Sequence, residues 1–171
     1  MIERQKKILQ LLDTSGPILH RLLGRLTQRQ DITGDLLQEL FLRLWNSKPF
    51  DNARDPTAYA YRAAINLAFE WRRQQQTACQ PLEQNCRATN DSSALEKMIQ
   101  AEELEQVLDA TSRLNDLARN VVVMRYIEQD SYEKIAEWLG KKPQHIRSVC
   151  AKAMAQLREF LKEKMDKPIT K

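Results

Sequence analysis

Ser131-Tyr-Glu-Lys-Ile-Ala-Glu-Trp-Leu-Gly140, then Lys141-Lys142-Pro143 and a long apolar-basic run to about Met165, reads as two helices around a tight turn. Ser131 suits an N-cap, because its hydroxyl can accept from the free N–H groups of the first helix, Tyr132 to Leu139. Gly140 ends that helix where a left-handed backbone costs least. Pro143 opens the next, since its missing N–H would have no partner there. A short helix, a glycine turn and a long basic helix form a helix-turn-helix, whose second helix enters a DNA major groove by its N-terminal end.

On that second helix Ile146, Val149, Cys150 and Ala153 form the expected buried stripe. Gln144, His145, Arg147, Ser148 and Lys152 point away from it, with donors and acceptors long enough to reach base edges. Arg147 suits bidentate pairing with guanine and Gln144 pairing with adenine. Lys141, Lys142, Lys152 and Arg158 suit phosphates, which hold register without reading sequence.

Charge extends this reading along the 171 residues. The net charge is +4, but it is unevenly spread. Met1 to Arg73 holds twelve basic and eight acidic residues, and Tyr132 to Lys171 holds ten and five. Between them Asp91 to Ala110 has six acidic residues and one lysine. Two basic ends around an acidic middle suggest two separate surfaces for a polyanion. With 42% hydrophobic and 29% charged residues the chain should be globular, and four glycines with little strand-like alternation indicate an all-α fold.

No apolar run approaches the roughly 20 residues that span a bilayer, and the first residues lack the apolar core of a secretory signal. The expected location is cytoplasmic, with no membrane insertion. Cys79, Cys86 and Cys150 lack the pairing of a zinc site and only His20 and His145 could join them, so neither metal nor cofactor is expected. No nucleophile–histidine–acid set and no glycine-rich phosphate loop is visible, so the chain reads as no enzyme.

Upstream, Leu36, Leu37, Leu40, Phe41 and Leu44 recur at the spacing of one buried helix face. Asn46 to Asp55, with Pro49, Asp51 and Asn52, reads as a loop. Pro56 opens another helix, with Tyr61, Ala64, Ile65 and Ala68 on its buried stripe and Arg62, Asn66, Glu70 and Arg73 on the other side. Gln74 to Ser93 is a polar stretch that reads as a flexible linker. The division is therefore 1–73, a linker over 74–93, and 94–171. Asn115 caps a helix expected over Asp116 to Tyr126.

Three segments in this order resemble the bacterial RNA polymerase sigma factors of the extracytoplasmic-function type, within the sigma-70 family. Asp35-Leu-Leu-Gln-Glu-Leu-Phe-Leu-Arg-Leu-Trp45 is similar to the family's polymerase-binding string, Asp-Leu-x-Gln-Glu-x-Phe-Leu-Arg-Leu-Trp. Pro56-Thr-Ala-Tyr-Ala-Tyr-Arg62 to Asn66, with Glu70 and Arg72-Arg73, is similar to the helix that melts and reads the −10 promoter element. Ser131 to Gly140 is close to Ser-Tyr-Glu-Glu-Ile-Ala-x-x-Leu-Gly of the −35 domain. Departures are Asn115 where the family has proline, Val149 where it has arginine, and Lys142 and His145 where smaller hydroxyl residues are common.

The resemblance implies that 1–73 is sigma region 2 and 94–171 is sigma region 4. It implies that Asp35, Gln38, Glu39, Leu42 and Arg43 bind core polymerase at the clamp helices of the β′ subunit, with the β flap as a second contact. Tyr59, Arg62, Asn66 and Arg73 become the −10 candidates, with Phe69 and Trp71 as further stacking surfaces and the 46–55 loop supplying a base pocket. Lys142, Gln144, His145, Arg147, Ser148 and Lys152 become the −35 set. An anti-sigma factor is implied as a further partner, and the acidic stretch around Glu102, Glu103 and Glu105 as a mimic of nucleic acid in a polymerase channel. Two other readings remain: a conventional helix-turn-helix regulator binding duplex as a dimer, and a sigma-like adaptor that binds protein without reading DNA.

Overall fold

A computed structural model describes residues 2–78 and 92–165. These form α1 (Ile2–Thr27), α2 (Thr33–Asn46), α3 (Lys48–Asp51), α4 (Pro56–Ala78), α5 (Ser92–Ser112), α6 (Asp116–Val122), a π-turn (Val123–Ile127), α7 (Tyr132–Leu139) and α8 (Pro143–Met165). No strand occurs among the described residues. The all-α, two-domain expectation holds. Most of the linker, 79–91, lies outside the described residues, while 74–78 continue α4 and 92–93 begin α5.

The helix boundaries follow local chemistry. Gln28 takes a left-handed backbone (φ 56°) after α1, and its side chain donates to the Arg25 carbonyl at 2.6 Å. Asp55 Oδ1 caps α4 by accepting from Thr57 N and Ala58 N at 2.9 and 3.0 Å. Asn115 Oδ1 accepts from Ala118 N at 2.9 Å, so asparagine does start α6 without the family's proline. Ser131 Oγ accepts from Lys134 N at 3.2 Å, and Gly140 ends α7 at φ 61°.

Leu19, Leu22, Leu23 and Leu26 of α1 pack with Leu36, Leu40 and Leu44 of α2 and Ala64, Ile65, Ala68 and Phe69 of α4. The same core runs on without a break into Leu108, Val121, Val123, Met124, Ile135 and Ile146 of the C-terminal helices. A smaller cluster, Ala110, Leu114, Ala118, Val122, Ala153 and Leu157, joins α5, α6 and α8.

Two expectations of local structure are corrected. The 46–55 segment is no open loop: Ser47 Oγ accepts from Phe50 N and starts the helical turn α3, which sinks Phe50 completely. Burying that ring contributes about 2–3 kcal/mol, enough to outweigh the turn-forming polar residues beside it. From α1, Arg4 pairs with Asp51 and Lys7 Nζ donates to the Phe50 and Asp51 carbonyls, fixing the turn. The helix beginning at Asp116 does not run evenly to Tyr126. It widens at Val123, with Glu128 N donating to the Val123 carbonyl at 3.1 Å.

Candidate polymerase- and promoter-binding surfaces

On α2 the pattern of 3.6 residues per turn buries Leu36, Leu40 and Leu44 and leaves Asp35, Gln38, Glu39, Leu42 and Arg43 all exposed on one strip. Leu42 keeps 63% of its surface between those charges. Arg43 donates to Glu39 Oε1 at 2.6 Å and to Glu70 Oε2 of α4 at 2.7 Å. The guanidinium holds the Glu70 carboxyl below its ordinary value, and Glu70 in turn raises Arg43. The strip is thus an apolar residue framed by charges of both signs, held in place before any partner arrives.

The six expected −35 residues, Lys142 in the turn before α8 and Gln144, His145, Arg147, Ser148 and Lys152 on it, are all exposed. Ile146, Cys150 and Ala153 face inward and Val149 is half-buried, so this stripe was legible in the sequence. Arg147 Nη2 donates to Glu133 Oε1 of α7 at 2.8 Å, and its guanidinium lies over the Tyr132 ring. These contacts pre-orient a side chain that would otherwise sample many rotamers.

The −10 candidates have a different setting. Tyr59 shares a 2.9 Å hydrogen bond with Ser47 Oγ, tilts against Phe50, and carries Arg62 over its ring. Tyr59, Arg62 and Asn66 do come together, along one wall of a cleft of about 450 Å³. The opposite wall, however, is made by Asp116, Leu117, Asn120, Leu139 and Lys141 of the C-terminal domain. Asn120 Nδ2 reaches Asn66 Oδ1 at 3.5 Å, and Arg73 Nη1 reaches the Ser112 carbonyl at 3.4 Å. The α4 face that carries the −10 candidates is therefore partly covered: Tyr59, Arg62 and Asn66 are half-buried and Arg73 is exposed.

Phe69 is fully buried and cannot stack on a base in this form, a correction to its expected role. Trp71 is half-buried against the core. Glu105, with Asp109, binds the buried Arg72, at 2.8 and 2.6 Å.

Sequence reasoning missed the residues that join the two domains. Tyr61 Oη donates to Glu128 Oε2 at 2.8 Å, and Arg25 donates to Glu128 Oε1 at 3.1 Å and to the Ile127 carbonyl at 2.7 Å. The Trp138 ring meets Tyr61 edge-on, centroids 5.0 Å apart. Burial, then the Glu128 carboxylate, push the Tyr61 phenol well above its ordinary value. Arg72 was within reach of the pattern, since it continues the Tyr61, Ile65, Ala68 stripe by one more turn. Glu128 carried no such signal.

Two family models match this chain: sigma-70 region 2 over residues 11–78 and sigma-70 region 4 over residues 110–159. The RNA polymerase sigma-E factor of Streptomyces coelicolor is 31% identical over 128 residues, covering 74% of this chain and 70% of that protein. The extracytoplasmic-function RNA polymerase sigma factor SigX of Bacillus subtilis is 25% identical over 165 residues, covering 91% and 85%. Among solved structures, CnrH in complex with the cytosolic domain of CnrY has the same fold, with a TM-score of 0.50 and 20% identity over 93% of this chain and 90% of that one. Both matched regions stand in the family's order and contain the α2 and α7–α8 motifs. The chain belongs to the sigma-70 family of RNA polymerase sigma factors, in its extracytoplasmic-function group.

Proposed function

We propose that this sigma factor, which directs core RNA polymerase to specific promoters, divides that task among three surfaces. The α2 strip, centred on exposed Leu42 between Glu39 and Arg43, docks on the β′ clamp helices. A bare leucine framed by opposite charges is the pattern of an interface anchor with a polar rim. Tyr59, Arg62, Asn66 and Arg73 hold and read the opened −10 strand. Gln144, His145, Arg147, Ser148 and Lys152 read the −35 duplex in the major groove, Lys142 anchors phosphate, and the C-terminal domain as a whole meets the β flap.

The observation that carries this reading is the exposure of the whole α2 strip and the whole α8 face, beside buried stripes on the same two helices. The work is done by binding energy, with the chemistry left to polymerase, and the site of action is the cytoplasm. An anti-sigma factor covering the α2 strip would keep the chain from polymerase until a signal arrives. A conventional regulator has no use for the α2 strip, and an adaptor has no use for the α8 face.

Run-off transcription with purified bacterial core polymerase, on fragments of the source genome, tests the assignment. Transcripts with defined starts are expected with the chain and not without it. Leu42→Glu should abolish them and the polymerase complex together, while Arg147→Ala should cut promoter-specific starts roughly ten- to a hundred-fold with the complex intact. Transcripts that survive Leu42→Glu would overturn the α2 assignment.

A further inference from the structure

The turn between α2 and α4 is tied to α1 at both of its ends. α3 is four residues long, far below the roughly 12 residues at which a helix begins to hold by itself in water. Within the turn, Ser47 Oγ accepts from Phe50 N at 3.3 Å and Ala53 N donates to the Phe50 carbonyl at 3.2 Å. α1 adds two cations that stand one helical turn apart. Arg4 donates through Nη1 to the Trp45 carbonyl at 2.9 Å, before the turn, and through Nε to Asp51 Oδ1 at 2.6 Å, at its end. Lys7 Nζ donates to the Phe50 and Asp51 carbonyls at 3.2 and 3.0 Å and stands 5.3 Å from the centre of the Phe50 ring. A cation is well placed there, because the carbonyls at the end of a helix run out of partners within it.

The fastened turn leads directly to the −10 candidates. Ser47 Oγ shares a 2.9 Å hydrogen bond with Tyr59 Oη, and the Phe50 ring lies 5.7 Å from the Tyr59 ring. The Arg62 guanidinium lies over Tyr59 in turn, 5.6 Å from its centre. Arg4 and Lys7 therefore hold the residues that touch Tyr59, while belonging to neither the promoter-binding nor the polymerase-binding set. A stacking ring and a guanidinium favour one unstacked base over another only if they are held to within about 0.5 Å. A single free helical turn would not keep Ser47 and Phe50 to that tolerance.

We propose that Arg4 and Lys7 are positioning residues for the −10 element. By tying both ends of the α3 turn to α1 they set where Tyr59 and Arg62 stand, and so which base those two side chains accept. Neither cation meets DNA. The start of α1 thereby becomes part of promoter specificity, although it lies on a different helix from every base-reading residue. The inference rests on the assignment of Tyr59 and Arg62 to the −10 element.

The test uses the full chain with core polymerase on a promoter found by run-off transcription. Copies of that promoter are substituted base by base in the −10 element and, separately, in the −35 element. Lys7→Met and Arg4→Met keep an apolar stem and remove the donors, while Lys7→Arg keeps the charge. In both methionine variants starts from the native −10 element should fall about tenfold, and starts from the substituted −10 elements should fall less, so that discrimination shrinks. The −35 ratios and the affinity for core polymerase should not change, and Lys7→Arg should keep the −10 discrimination of wild type. In a Tyr59→Phe background, which lacks the hydroxyl that meets Ser47, Lys7→Met should have less effect than it has alone. Methionine variants with wild-type −10 ratios would overturn the proposal. So would a fall that is equal on every template and comes with a lowered thermal midpoint, the mark of a merely structural role. If the −10 ratios also survive Tyr59→Ala and Arg62→Ala, the −10 assignment itself has failed. If those two variants flatten the ratios and the methionine variants do not, the positioning role alone has failed.

Discussion

Tyr61 on α4 donates its phenolic hydrogen to Glu128 Oε2 at 2.8 Å, across 67 positions of sequence and from one sigma region to the other. The ring belongs to the buried stripe of its own helix, yet its hydroxyl ends on a carboxylate supplied by the turn before the helix-turn-helix. Arg25 shares that carboxylate, so a single side chain of the C-terminal domain gathers α1 and α4 of the N-terminal one.

Alkaline pH should weaken this link. Burial first, then Glu128, then Asp130, raise the Tyr61 phenol above its ordinary value, with Arg21 opposing. A group whose pKa is raised on folding contributes fully below its unfolded value, about pH 10 for tyrosine, and loses that contribution as pH rises beyond it. Wild type should therefore exceed Tyr61→Phe by about 1–2 kcal/mol at neutral pH. The difference should begin to shrink above pH 10 and go on falling as pH climbs toward the raised value of the folded state, read as urea midpoints along a pH series.

Removing Arg72 should be costly. Its side chain is only 3% exposed and binds Glu105, Asp109 and the Leu26 carbonyl. Arg72→Ala leaves these acceptors facing one another across the vacated space. A loss of about 2–3 kcal/mol in chemical denaturation is expected, below that of a fully enclosed pair because Glu105 remains half in water.

Gly140→Ala isolates a backbone effect. No heavy atom lies within 4 Å of where a Cβ would stand, so there is no clash to relieve. The φ of 61° alone carries the penalty, about 1 kcal/mol in thermal unfolding, with Gly140→Asn costing less.

Arg147→Ala should separate recognition from stability. The side chain is 56% exposed and its partner Glu133 64%, so unfolding should shift by less than about 0.5 kcal/mol. Loss of one bidentate base contact corresponds to about 1–3 kcal/mol, or roughly ten- to a hundred-fold in transcription from the −35-dependent promoter. Initiation on pre-melted templates lacking a −35 element should not change.

Local signals explain what could be read in advance. Ser131, Gly140 and Pro143 each dictate a backbone state within a few residues of themselves, so the helix-turn-helix and the exposed α8 face were legible. The α2 strip was legible for the same reason, since helical period alone separates Leu42 from Leu36, Leu40 and Leu44. The 46–55 segment misled because its proline and polar residues signal a turn, while the deciding event is the burial of Phe50 beneath α1. The π-turn at Val123 also has no local mark; its valine-rich sequence suits an ordinary helix equally well.

Local sequence set the stripes of α2, α4 and α8, the ends at Asn115, Ser131, Gly140 and Pro143, and the family to which the chain belongs, because propensity, period and motif all act over a few turns. Packing of whole helices set the rest: the core shared by the two domains, the burial of Arg72 against Glu105 and Asp109, and the partial covering of the α4 face that carries Arg62 and Asn66. Those outcomes depend on side chains 33 to 103 positions apart. Such encounters are set by how whole helices pack, and no local pattern encodes them.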